Sequence, residues 1–196
     1  MRPTLLLASN SPRRRELLSE AGFEFEIFVA PVAESLEEHL TLRELTALNA
    51  TRKALAAARI HPKRIVLAAD TLVAIDNQVL GKPGDAGEAM AMIERLIGRD
   101  HEVCTSVFVC HLAGARSVSF SEISRVHFRN LNRRQIERYL SKVNPLDKAG
   151  AYAAQGFGSE IIERIDGSFT NVVGLPMEKT IPALGEFGIV PNLEKS

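Results

Sequence analysis

The chain has 196 residues, enough for one domain or two small lobes around a sizeable core, and 45% of them are hydrophobic, an ordinary globular composition. Its 24 Lys+Arg balance 24 Asp+Glu to zero net charge, which argues against a general nucleic-acid binder and makes any cationic site a local one. Apolar runs such as LLLA and IVLAA are far too short to span a bilayer.

In chain order, TLLLAS reads as a short buried strand feeding a loop, and SPRRRELL as a helix start with Ser11 as N-cap and Pro12 in the first turn. Three arginines then stand where the helix dipole disfavours cations, each at a cost of about 0.3–1 kcal/mol, so solvent or an anion must compensate. Arg14 shares a face with Leu17 and Leu18 and is expected to point toward the core side, with Arg15 pointing elsewhere. FEFEIFVA alternates like a half-exposed strand. A Pro-containing loop leads to a long helix over about 42–60, with Leu45, Leu48 and Leu55 on its buried stripe.

RIVLAADTLVAI is the most strand-like stretch, and Asp76-Asn77 reads as a hairpin turn after it. GKPGD breaks the pattern before a helix with Ala89, Met92, Ile93 and Leu96 facing inward. HEVCTSVFVCHL and SVSFSEISRVHFR form an antiparallel pair across AGAR, and NRRQIERYLSKV is a helix stopped at Asn144-Pro145. The Gly-rich last third carries one short strand before a C-terminal helix from about Pro176. Parallel-type and hairpin connections together predict an α/β fold, a single elongated domain or two lobes, with a mixed central β-sheet flanked by helices. Cys104 and Cys110 lie along one strand, fit no metal or redox spacing, and are read as buried small residues. Met1 and Arg2 lead into too few apolar residues for a signal peptide, so a cytoplasmic protein is expected.

Three segments carry candidate chemistry, each at the end of a strand or in the loop after it: SNSPRRR, ADT at 69–71 and GKP at 81–83. The first joins a helix N-terminus to several guanidiniums, a phosphate-binding combination, though a solvated basic helix end fits equally. GKPG is no Walker loop, because proline stands where Ser/Thr is needed. Asp70 interrupts an apolar strand, where a lone buried carboxylate costs several kcal/mol. It is a turn cap, an arginine partner, a general base or a metal ligand, since Mg²⁺ takes one or two carboxylates plus substrate phosphates. Lys82, taken alone, is an ordinary surface lysine, and Glu34 a solvated loop residue. Lys53 flanks the apolar stripe of its helix, which suits inward reach and snorkelling alike. The five histidines show no zinc-ligand spacing, and no G-x-S-x-G elbow is present.

ASNSPRRRELL, AADTLV, GKPGD, PLDKAGAYAAQG and NVVGLP stand in the order and spacing of the Maf family of nucleoside triphosphate pyrophosphatases, which the chain resembles from about Leu5 to Pro176. The resemblance implies one Maf-like domain over residues 1–196, with a nucleotide cleft between its lobes. It implies hydrolysis of a nucleoside triphosphate between the α and β phosphates, giving monophosphate and pyrophosphate with a divalent metal, Mg²⁺ or Mn²⁺. Asp70 then matches the carboxylate that activates water. Ser9, Arg13, Arg14, Lys53 and Lys82 match positions around the triphosphate, and Glu34 with Asp70 those near the metal. Where the family usually has an acidic pair, this chain reads Ala33-Glu34. Arg13, Thr71 and Gln155 resemble the branch acting on dTTP and UTP rather than the branch preferring 7-methyl-GTP. A homodimer is the family expectation, while the zero net charge and the short apolar runs give the expectation of no nucleic-acid or membrane partner. The family's older description keeps one rival in view, a non-catalytic nucleotide-binding regulator of cell division.

Overall fold

The computed structural model describes residues 4–35, 37 and 39–192. The chain opens with β1 (Leu5–Leu7), α1 (Pro12–Glu20), β2 (Phe25–Ile27), α2 (Leu42–Ile60) and β3 (Ile65–Ile75). β1 pairs in parallel with β2 on one side and with β3 on the other, Leu7 lying opposite Ile27 and Leu67. The first crossover therefore leads to one side of β1 and the second to the other, so the direction of winding changes at β1. After β3 come β4 (Gln78–Leu80), α3 (Ala86–Leu96), β5 (Asp100–His111) and β6 (Arg116–Phe128). The described chain closes with α4 (Arg133–Leu140), β7 (Ile162–Asp166), α5 (Phe169–Val173) and α6 (Met177–Gly185). One mixed seven-stranded sheet results, in the order β2-β1-β3-β5-β6-β7, with β4 beside β3. Among the described residues, no helix is long and apolar enough to cross a membrane.

Residues fall into two compact units, one of Met1–Asp70, Thr105–Glu122 and Gly174–Ser196, the other of Thr71–Cys104 and Ile123–Val173. In the first, α2 packs on the sheet through small residues: Ala54, Ala57 and Ala58 meet Leu6, Ala8, Val66, Ala68 and Cys110. The buried stripe of α2 is thus not the leucine row its sequence suggests. Leu45 is buried, but Leu48 and Leu55 are half-exposed, and Thr46, Asn49 and the alanines take the inner face. A helix lying close to a sheet has room there only for short side chains. Cys104 and Cys110 are free and buried, and burial pushes the Cys110 thiol up to about 11.

The second unit is closed by Val73, Ile93, Leu96, Phe128, Tyr139 and Tyr152. Asp76 and Asn77 both take positive φ, as the predicted two-residue hairpin turn requires, and β4 returns with Val73 opposite Leu80. His101 is buried with its ring edge-on to Phe128 and Tyr152, and its Nε2 lies 2.9 Å from the Tyr152 hydroxyl.

Three expectations are corrected. β2 is limited to three residues because its partner β1 offers only three. α4 stops at Leu140 rather than at Asn144, where the Ser141 hydroxyl donates to the Arg138 carbonyl. The glycine-rich tail contains the short helix α5, whose start is held by the Asn171 N–H donating to Ser168 Oγ.

Two predictions follow from this packing. Ala57→Leu should overfill the α2 seam and cost about 1–3 kcal/mol in a urea titration, whereas the same change at exposed Arg59 should cost less than about 0.5 kcal/mol. Burial holds His101 down at about 4, below the ordinary 6.5, so the unfolded chain takes up this proton first as pH falls. The stability it contributes is complete above pH 6.5 and is lost as pH drops toward 4, on the order of 3 kcal/mol. Thermal melts should show that loss in the native protein and a shallower one in His101→Gln.

Candidate active site

Asp70 lies inside β3, as the strand read over RIVLAADTLVAI predicts and against the grouping of ADT with strand-end segments, three residues past Leu67, the last residue paired to β1. Alternation along the strand places Val66, Ala68 and Asp70 on one face, the face that α2 covers. The contact between helix and strand thus passes from alanines to polar groups as it nears the end of β1. Asp70 is 4% exposed, and its two carboxylate oxygens have different partners. Oδ1 accepts from Lys53 Nζ at 2.6 Å, and Oδ2 accepts from Asn49 Nδ2 at 3.2 Å. Asn49 and Lys53 stand one helical turn apart on α2, so a single turn of helix serves both oxygens.

Lys53 Nζ also donates to Glu34 Oε1 at 2.6 Å, so one ammonium bridges two carboxylates. Glu34 belongs to the loop before α2, and its neighbour Ser35 is tied down by Asn49. The Ser35 N–H donates to Asn49 Oδ1 at 2.8 Å, and Asn49 Nδ2 donates to the Ser35 carbonyl at 3.1 Å. Asn49 belongs to none of the sequence motifs. The signal was an amide one turn before Lys53 on a helix face made otherwise of small and apolar residues.

After β1, α1 starts as its sequence predicts. Ser11 is the N-cap, Pro12 opens the first turn, and Arg14 is buried while Arg15 is exposed. Arg14 Nη1 donates to Ser9 Oγ at 3.0 Å and its Nε to the Gly174 carbonyl at 2.8 Å. Gly174 adopts φ +127°, a conformation reserved for glycine, which explains the glycine of NVVGLP. Ser9 Oγ also accepts from the Ser11 N–H at 3.2 Å. Burial draws the Arg14 guanidinium below its ordinary value, and the negative charge of Asp70 works against that shift. Arg13, half-exposed beside it, adds a like charge that lowers it further.

Ser9, Arg13, Arg14, Glu34, Lys53 and Asp70 thus belong to the first unit, and Asp70 and Lys53 hold its ion-pair centre. Thr71, Lys82 and Gln155 belong to the second. There, Lys82 is exposed and Gln155 half-buried, and the Gly150 N–H donates to the Gly81 carbonyl at 3.0 Å, tying the GKP loop to the DKAGAY segment. Gly150 has φ +69°, and a Cβ there would press on Val73 at 3.1 Å.

Glu34 and Asp70 converge on one cationic centre with hard oxygen donors, which fits a divalent ion of the Mg²⁺ type that takes one or two carboxylates and fills its other positions with phosphate and water. Among the described residues, no cluster of three or more His, Cys, Asp or Glu forms a metal cage. Replacing Lys53 with Met should leave the two carboxylates facing each other and cost about 3 kcal/mol in chemical denaturation. Adding Asp70→Asn to that variant should recover most of the loss.

A protein-family model described as Maf-like protein matches residues 4–187. A protein of Desulforamulus reducens named dTTP/UTP pyrophosphatase is 43% identical over 189 residues, covering 96% of this chain and 98% of its own. One of Symbiobacterium thermophilum with the same name is 44% identical over 184 residues, covering 94% of each. Among solved structures, the Ham1 protein of Staphylococcus aureus superposes with a TM-score of 0.50 at 14% identity, over 94% of this chain and 99% of that one, a likeness of fold alone.

Proposed function

The chain belongs to the Maf family, and we propose that it hydrolyses nucleoside triphosphates, dTTP and UTP foremost, to the monophosphate and pyrophosphate. On this reading residues 1–196 act as one pyrophosphatase domain. The observation that carries it is the buried carboxylate of Asp70, held on both oxygens by α2. The names of the relatives supply the substrate class.

In the proposed reaction Ser9, Arg13 and Arg14 bind the triphosphate at the start of α1, where the helix dipole favours anions. Charge offered by the bound phosphate compensates the arginines for their place at the wrong end of the helix dipole. Lys53 and Lys82 add point charges that stabilise the departing pyrophosphate. A water molecule attacks the α-phosphorus. Its oxygen forms the new bond, its proton passes to Asp70, and the bond to the bridging oxygen breaks with its electron pair leaving on pyrophosphate. A divalent cation held by Glu34 and Asp70 supplies, when bound, neutralisation of the triphosphate charge and activation of water. Arg13, Thr71 and Gln155 select the pyrimidine base, since a buried polar contact rejects ligands that leave it unpaired.

Product analysis on dTTP, UTP, CTP, GTP and 7-methyl-GTP with Mg²⁺ or Mn²⁺ tests the reading. Monophosphate and pyrophosphate from dTTP and UTP are expected. Asp70→Asn should lower turnover by at least about a hundredfold. Arg14→Ala should raise KM and lower turnover. Cleavage of 7-methyl-GTP alone would overturn the base assignment, orthophosphate as product would overturn the bond assignment, and binding without turnover would favour the regulator.

A further inference from the structure

We infer that Asn49 is a positioning residue that sets the placement of Glu34 relative to Asp70, an inference that rests on the pyrophosphatase reading above. Asn49 is 2% exposed in the interior of α2. Asparagine there is disfavoured twice, by its helix propensity and by the desolvation of its amide. Only hydrogen bonds offset that cost, and Asn49 makes three: its carbonyl accepts from the Ser35 N–H, while its amide nitrogen donates to the Ser35 carbonyl and to Asp70 Oδ2.

Two of the three contacts close on the backbone of the residue after Glu34, and the third on the proposed base. The paired bonds to Ser35 also fix which way the amide faces, so its remaining N–H must point at Asp70. With Oδ2 thus engaged, Oδ1 turns to Lys53, whose ammonium also meets Glu34. Rotation of the Asp70 carboxylate and position of the Glu34 loop are therefore referenced to one side chain. An apolar residue at position 49 would pack there but would release both. Asn49 does not meet the nucleotide itself; it acts through Asp70 and Glu34.

Asn49→Leu, close in size and a better helix former, is the test. A purely structural asparagine would change stability alone. A positioning role predicts that kcat for dTTP and the Mn²⁺ affinity of the nucleotide-free protein each fall about ten- to a hundredfold, with the nucleotide KM set by Arg14 and Ser9 moving less than about threefold. A folded Asn49→Leu with native kcat and Mn²⁺ affinity overturns the inference. Hydrogen exchange of the Ser35 amide in the unaltered protein tests it without any variant: strong protection is expected, and exchange at the rate of an open loop overturns it. Asp70→Asn assayed in parallel separates the two levels. If it keeps its turnover, the catalytic reading itself fails; if it is inactive beside an unaffected Asn49→Leu, only the role of Asn49 falls.

Discussion

A carboxylate buried in a strand face that is otherwise Val66 and Ala68 must bring its own partners, and the first unit is organised around supplying them to Asp70. Lys53 reaches with a long stem, but Asn49 is short, so α2 has to lie close to β3. The alanine stripe 54, 57 and 58 permits that approach. A leucine row there would hold the helix away from the sheet and take the Asn49 amide out of hydrogen-bond range of Asp70. The core alanines of α2 and its polar residues Asn49 and Lys53 therefore answer one geometric demand.

The same unit meets a second constraint from α1. A buried guanidinium is costly, and Arg14 is kept there by the Ser9 hydroxyl, the Gly174 carbonyl and the field of Asp70. Ser9 comes from the turn after β1 and Arg14 from the first turn of α1, while the residues holding Asp70 come from α2. Because the strand order reverses between β2 and β3 around β1, the two sets arise on elements that leave the sheet in opposite directions. In the proposed reaction this separates phosphate binding, which belongs to α1, from water activation, which belongs to α2 and β3. Lys53 is the exception, since its ammonium serves the carboxylates and, as proposed, the leaving group.

Much of this was legible in the chain. Ser11, Pro12 and the burial of Arg14 follow from helix periodicity and capping, which are local, and so do the bounds of α2 and the Asp76-Asn77 turn. The family follows from five ordered motifs, and the curated relatives agree with it. Less was legible where a residue's environment is set by a distant segment. Leu48 and Leu55 have the right spacing for a core stripe yet yield it to alanines, because the distance between helix and sheet is not written in the helix. β2 reads as a longer strand, but strand length is decided by the partner, and β1 is short.

The sequence by itself determined where the longer helices begin, where the Asp76-Asn77 hairpin turns, which residues interrupt apolar runs and which family the pattern matches, since each depends on neighbours a few positions away. Only the tertiary structure decided that Lys53 bridges Asp70 to Glu34, and that Asn49 holds the loop and the carboxylate together. Those facts depend on how closely α2 approaches the sheet, and a distance between elements far apart in the chain is fixed by packing, not by the local sequence that forms each element.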